Sequence, residues 1–290
     1  ATVGGGEDNT ASGSYAMIGG GYSNTASSES ATVGGGSRNT ASSPYATVGG
    51  GYLNSAANSY ATVSGGLANT ASGGYSTVGG GYTNEAGGVY AMIPGGIQCT
   101  ASGWYSFAAG RRAKATNDGS FVWGDSANAD VSSTTDNSVT FRASGGYRLF
   151  SNIGATMGAA LAPNATAWSA LSDSNAKENF EPIDTVDILE KLAALQLTAW
   201  NYKDDPEKRR YIGPVAQDFH AAFGLGNDTT INTLDADGVA LAAIQGLNQK
   251  NQKLEEEVGR LEEEVARIQK ENANLRKRLE QIEALIAGTE

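Results

Sequence analysis

The sequence predicts a mainly β chain that begins as a parallel β-solenoid, continues as a small α+β domain and ends in an α-helical coiled coil. Three observations carry this. A 15-residue repeat is under way at residue 1. The composition changes at Leu171. Apolar residues then recur at steps of three and four from Ile244.

Aligned at Ala1, Ala16, Ala31, Ala46, Ala61, Ser76, Ala91, Ser106 and Phe121, the repeat reads A-T-V-G-G-G-Y-x-N-T-A-S-G-x-Y at a constant step. Val33, Val48, Val63 and Val78 share one slot with Ile18 and Ile93. Ala11 to Ala101 share a second, Asn9 to Asn84 a third, and Tyr15, Tyr45, Tyr60, Tyr75, Tyr90 and Tyr105 a fourth. Helix is excluded, because each helical Gly costs about 1 kcal/mol against Ala. Each repeat instead offers two short extended pieces, A-T-V and N-T-A-S, between Gly-rich turns. One unit cannot bury its thin apolar edge, but stacked coils can, with like residues about 4.8 Å apart. Val/Ile and Ala are then inner stripes, and Asn is a hydrogen-bonded ladder.

The inner slots hold no Leu or Phe, so burial of one face against two further copies is expected, giving a homotrimeric fibre. Residues 1–126 resemble the β-roll head of trimeric autotransporter adhesins, which implies the same assembly. The pattern fades after residue 106. Cys99 and Lys114 are expected in the Asn slot. Arg111, Arg112 and Lys114 read as a solvated cap paired with Asp118 and Asp125. Cys99 reads as a small side chain filling the Asn slot, with three copies meeting across a trimer axis as the alternative. The Tyr column reads as packing between coils, with a sugar- or surface-binding stripe as the alternative.

Residues 127–170 form a β-rich connector, with a hairpin expected from Ser138–Ala143 to Tyr147–Phe150 across Gly145-Gly146. From Leu171 the chain reads S-D-S-N-A-K, an amphipathic helix near Asp184–Leu195, and a strand at Thr198–Tyr202. Then come I-G-P-V-A-Q-D at Ile212–Asp218 and an Asp-led helix. This order resembles the C-terminal chaperone of phage endosialidases and tail spikes, the peptidase S74 family, over residues 171 to about 255. The resemblance implies a module that trimerises, brings three shafts into register and cuts its own backbone at Leu171–Ser172, with Ser172 as nucleophile and Lys177 as base. Gln217 and Asp237 are expected to support the site or the fold.

The residues themselves allow this chemistry. A hydroxyl needs a base, and Lys serves when its ammonium is desolvated. Five residues span about 500° of α-helix, so the pair needs a bent segment. Asp173 and Glu178 oppose it, since carboxylates favour the charged Lys. Read without the resemblance, Ser172-Asp173 is a helix cap and Lys177 a surface residue.

From Ile244 to Ile286 the apolar positions span six heptads, within a segment of 244–290. With Ile244 at position a, Lys250–Glu255, Glu271–Arg276 and Arg278–Glu283 are attractive pairs between parallel helices, and Glu257–Glu262 is repulsive. Val and Asn at a with Leu at d favour two strands, against the trimer. The domains are therefore read as 1–126 shaft, 127–170 connector, 171–243 chaperone and 244–290 coiled coil.

The net charge of -11 argues against nucleic acid and anionic lipid. One Cys and one His (His220) leave no basis for a cysteine metal cage or a Ser-His-Asp triad, and no cofactor or metal is expected. No apolar run reaches the roughly 20 residues of a membrane span. The repeat is already in progress at residue 1, as expected of a processed chain or a piece of a longer fibre. The expected partners are copies of the chain, with a cell-surface glycan or receptor as a further partner. The expected location is extracellular, on a cell surface or on a virion or injection-system tail fibre. The alternative is a plain glycan- or surface-binding adhesin with an uncleaved trimerisation domain. A glycan-cleaving enzyme needs paired carboxylates, and the shaft offers none that recur in one slot.

Overall fold

The computed structural model describes residues 1–287, and side chains up to residue 284. The chain forms two compact units that meet in sequence at Leu171 and Ser172.

The first unit is a parallel β-solenoid. Strands two residues long, from Thr2–Val3 to Met92–Ile93, pair in parallel as one sheet. A second sheet runs from Thr10–Ala11 to Thr100–Ala101. Each strand pairs with its equivalent 15 residues on, as in Thr47↔Thr62 and Val48↔Val63. A third file of single bridges links Tyr22, Ser37, Tyr52, Leu67, Tyr82 and Ile97. The two inner stripes are as expected: Val33 to Val78 and Ala26 to Ala101 are fully buried. A further stripe, Ala16, Ala31, Ala46, Ala61, Ser76, Ala91, Ser106 and Ser120, is buried as well. The turns are tight enough to require glycine. At Gly51, with φ +89°, a Cβ would lie 2.2 Å from the Gly66 carbonyl oxygen of the next coil.

The Asn file is a ladder, but its rungs are mainly amide to backbone. Asn54 Nδ2 donates to the carbonyls of Gly50 at 2.9 Å and Gly66 at 2.8 Å, and Asn54 Oδ1 accepts the Asn69 amide at 3.0 Å. One buried side chain thus satisfies three backbone groups in its own and the following coil. Cys99 ends the file: its amide donates to Asn84 Oδ1 at 2.9 Å, and its Sγ lies 3.3 Å from Gly110 O. Cys99 is buried inside its own coil, which pushes its thiol pKa up. It is not placed to meet a second copy.

The end of the solenoid departs from the constant repeat. The step shortens to Phe107↔Phe121, so Ser120 and not Phe121 takes the slot of Ser106. Ala113, fully buried, follows Cys99 in the Asn slot. Lys114 pairs with Thr100 on the outer side, and its Nζ donates to Gln98 O and Thr100 Oγ1. The next step lengthens, with Phe121↔Val139 and Ala113↔Val131. The ladder therefore runs on to Arg142, inside the segment read as connector.

The expected hairpin is absent. Val139–Arg142 pairs in parallel with Phe121–Gly124, because its outward Val139 and Phe141 continue the file of Phe121 and Trp123. Tyr147–Phe150 instead pairs antiparallel with Gly158–Leu161, which pairs with Ser169–Ala170.

Arg142 closes the lengthened coil. Its Nε donates to Asp125 Oδ1 at 2.7 Å, and its Nη atoms reach the carbonyls of Ala127 and Ala129. Arg112 pairs with Asp130 at 2.8 Å, so the basic cap finds Asp130 rather than Asp118 or Asp125. Asp118 accepts the Trp104 amide.

The second unit has little core. Helix α1 (Thr185–Ala194) is capped by Asp184, which accepts the amides of Val186 and Asp187. Thr198–Trp200 pairs with Tyr211–Gly213, and α2 (Ala216–Phe223) ends on Gly224 in the left-handed region, φ +67°. Helix α3 (Thr233–Ala287) is one continuous helix of 55 residues, about 80 Å long. It packs on α1 at Gly246, where a Cβ would lie 2.1 Å from Thr185 O. Lys250 pairs with Glu190 of α1 at 2.9 Å within the chain. The a and d side chains from Leu247 to Ile282 form an apolar seam, with Leu247, Leu254, Val258, Leu261, Val265, Ile268, Leu275, Leu279 and Ile282 each 45–59% exposed. Ile286, the last heptad position, lies outside the described side chains, as do residues 288–290 altogether.

Two outcomes follow from the shaft. Asn54→Leu strands one amide and two carbonyls, and thermal unfolding of the variant should show a loss of at least about 3 kcal/mol. Asp125 has its carboxyl held well below the ordinary range, first by the amide and side chain of Ser144 and then by Arg142. Its contribution is therefore complete above the ordinary Asp pKa of about 3.9 and is lost as pH falls below that value. In melts from neutral pH to about pH 2, Asp125→Asn should start less stable than the wild type and lose less on acidification.

Candidate functional site

The segment after Leu171 is exposed and almost free of regular structure. Residues Ser172–Ile183 have no buried member, and only Ser174–Ala176 forms a single 3₁₀ turn. The turn is closed at both ends. Asp173 Oδ1 accepts the Asn175 amide at 2.9 Å and Asn175 Nδ2 at 3.0 Å. The Ala176 amide donates to Asp173 O, and the Lys177 amide donates to Ser174 O.

This bend answers the spacing problem. A straight run of five residues would hold Ser172 and Lys177 about 16–18 Å apart, and an α-helix would place them on different faces. The 3₁₀ turn folds the chain back, and Lys177 Nζ donates to Ser172 Oγ at 2.6 Å. Both expected dyad residues are therefore in direct contact. Asp173 does not pair with Lys177: its carboxylate faces Asn175. Among the described ion pairs, none joins Lys177 to Asp173 or Glu178. The sequence identified Asp173 as an opposing charge and missed its turn-closing geometry toward Asn175. An Asp two residues before an Asn in a Ser/Asn-rich run is the signal for such an Asx turn.

The other expected residues lie elsewhere in the unit. Gln217 sits in the first turn of α2 and lines an open pocket of about 720 Å³ with Trp200, Tyr202, Asp228 and Thr230. Asp237 is in the first turns of α3. No described hydrogen bond joins either to Ser172 or Lys177. His220 lies beside the carbonyl of Leu225 at 3.2 Å and takes no part in the dyad.

Leu171 belongs to the first unit. Its amide donates to Gly158 O at 3.1 Å, extending the pairing of Ser169–Ala170. The bond between Leu171 and Ser172 therefore joins a residue tied to the three-stranded antiparallel sheet of the first unit to the first residue of the second unit.

Residues 172–224 match the family model of peptidase S74, described as chaperone of endosialidase. The match begins at the dyad serine and ends just past α2. A comparison with curated proteins finds no match to the chain. The S74 region and the parallel solenoid of 15-residue repeats upstream of it are thus both present, as the sequence implies.

The Tyr column is exposed and self-stacked. Tyr45, Tyr60, Tyr75, Tyr90 and Tyr105 lie ring on ring, with centroids 4.8–5.2 Å apart and planes within 15°. Each backbone is in the left-handed region. The ring faces are shared between neighbouring coils, so a sugar laid along the column meets ring edges and hydroxyls. Among the described residues no helix is long and apolar enough to cross a membrane.

Proposed function

We propose that the chain is a subunit of a parallel homotrimeric extracellular fibre, of tail-fibre or surface-adhesin type. Its second unit trimerises, sets the register of the shaft and then cuts the Leu171–Ser172 bond. The observation that carries this reading is the 2.6 Å contact of Ser172 and Lys177 at the first residue of the S74 match, where one compact unit ends and the other begins.

Two surfaces support self-association. The α3 seam leaves Leu, Val and Ile side chains in water along six heptads, and an isolated helix gains nothing from such a stripe. On the shaft, Tyr22, Tyr52, Leu67, Tyr82 and Ile97 form a half-exposed apolar file on the bridging corner. Copies aligned in parallel bury both. A chaperone role follows from the shaft itself. Near-identical coils offer many slipped pairings of similar energy, since register is weakly specified in Gly-rich strands.

The chemistry is a single turnover. Ser172 Oγ attacks the Leu171 carbonyl carbon through a five-membered ring, while Lys177 in its neutral form takes the hydroxyl proton. The C–N bond breaks, the Ser172 amine takes that proton back, and Leu171 is left as an ester on Oγ. Water then hydrolyses the ester to the Leu171 carboxylate and the free hydroxyl. An ammonium is no base, so Lys177 must lose its proton. Cover from neighbouring copies desolvates it and favours the neutral form. Cutting is thereby tied to assembly. Gln217 and Asp237 act in this scheme by holding the unit's fold, apart from the reacting atoms.

Intact-mass analysis of the assembled protein should show a shaft ending at Leu171 and a fragment beginning at Ser172. Ser172→Ala and Lys177→Ala should remain full length with an unchanged trimeric mass by light scattering. Cleavage that persists in Ser172→Ala removes the dyad from the mechanism. Residues 1–171 expressed alone should form no soluble trimer. A soluble trimer from that fragment would overturn the chaperone role.

A further inference from the structure

The geometry that makes the dyad rests on very little. The Ser174–Ala176 turn spans three residues, buries none of them, and a short 3₁₀ turn has poor hydrogen-bond geometry of its own. Within the chain no packing holds it, because every residue from Ser172 to Ile183 is exposed. What closes it is Asp173. The Asp173 carboxylate takes both the amide and the side-chain nitrogen of Asn175, and the Asp173 carbonyl takes the Ala176 amide. The Lys177 amide then closes the far end on Ser174, and its side chain returns to Ser172.

We propose that Asp173 is a positioning residue of the cleavage site: by capping this turn it holds Lys177 Nζ on Ser172 Oγ, and the same contact keeps its carboxylate off the lysine. The inference rests on the reading of Ser172 and Lys177 as a cleavage dyad. It assigns Asp173 no part in the bond-making steps. A carboxylate next to a lysine base would ordinarily favour the ammonium and suppress the reaction. Here its Oδ1 is bound by two Asn175 donors, so the charge beside the dyad is spent on geometry. Asn caps turns as well as Asp does, while Ala does not cap. The cap and the charge are therefore separable by substitution.

The experiment uses the full-length chain with Asp173→Asn and Asp173→Ala. Two readouts are taken: the rate at which the fragment beginning at Ser172 accumulates, and, in a Ser172→Cys background, the pH profile of thiol alkylation by iodoacetamide. Asp173→Ala should slow cleavage about fivefold or more, the factor that loss of one cap implies, with assembly mass unchanged. Asp173→Asn should cleave at the wild-type rate or faster. The thiol in Ser172→Cys should titrate below its ordinary value of about 8.5, because Lys177 sits beside it. Asp173→Ala should return it toward that value, and Asp173→Asn should not. Equal behaviour of Asp173→Ala and wild type in both readouts overturns the proposal. So does an Asp173→Asn variant as impaired as Asp173→Ala, which would make the charge and not the cap the active feature. A wild type that never cleaves removes the cleavage reading, and the alkylation profile still decides whether Asp173 sets the contact.

Discussion

The first unit depends on what fits between coils stacked one strand apart. The interior admits Val, Ile, Ala, Ser and Asn and nothing larger, and the Gly turns close over the carbonyls of the next coil. Apolar burial in such a narrow column is small, since Ala contributes little and each Val about 1.5–3 kcal/mol. The buried Asn file supplies what the apolar slots lack. From Asn24 to Asn84, each side chain satisfies backbone groups in its own coil and its neighbour, and the file ends where Cys99 offers only a thiol. Beyond that point the fold changes device. Ala113 fills the slot, and Arg142 and Asp125 take over the unpaired carbonyls and amides of a longer coil.

The same regularity is what the role proposed for the second unit would answer. A ladder of equal rungs is equally satisfied after a slip of one coil, so no interaction within the repeats selects the correct alignment of several chains. Selection has to come from an end whose residues differ from one another. The distinctive features all lie toward the C-terminal end: the unequal steps at Phe121 and Val139, the Arg142 cap, and the heptads of α3 with Asn251 and Asn272 at a positions. Asn at a fixes register in a coiled coil at a cost in stability, which suits the alignment role proposed for α3.

Much of this was legible from residue spacing, because a repeat fixes its own strands. Val48 and Ala56 are buried for the reason their slots recur. The slot of Ala16 and Ser76 went unread as interior, since small residues carry no apolar signal. The errors gather where the period changes. Holding the step at 15 placed Phe121 in the slot of Ser120 and Lys114 in that of Ala113, and it hid the parallel pairing of Val139–Arg142 behind an apparent hairpin. A Gly-Gly pair after a β-rich run signals a turn but does not say which strand is the partner. At the dyad, the spacing of Ser172 and Lys177 marked the pair as needing a bend. What the bend was, and which way Asp173 faced, depended on Asn175, a residue with no charge or apolarity to draw notice.

The hydrogen bonds on either side of Leu171–Ser172 bear on the proposed cut there. Leu171 keeps its amide on Gly158 O, so a cut at its carbonyl leaves the last strand of the first unit paired. The cut falls in an exposed run where Ser172 has no strand or helix partner to lose. A break two residues earlier would take Ser169–Ala170 out of its sheet, and one ten residues later would fall beside the Asp184 cap of α1. A cut at Leu171–Ser172 thus removes no described strand or helix from either unit. After such a cut the shaft no longer carries the segment proposed to align it. Its persistence then depends on the height of its unfolding barrier rather than on a route back to the folded state.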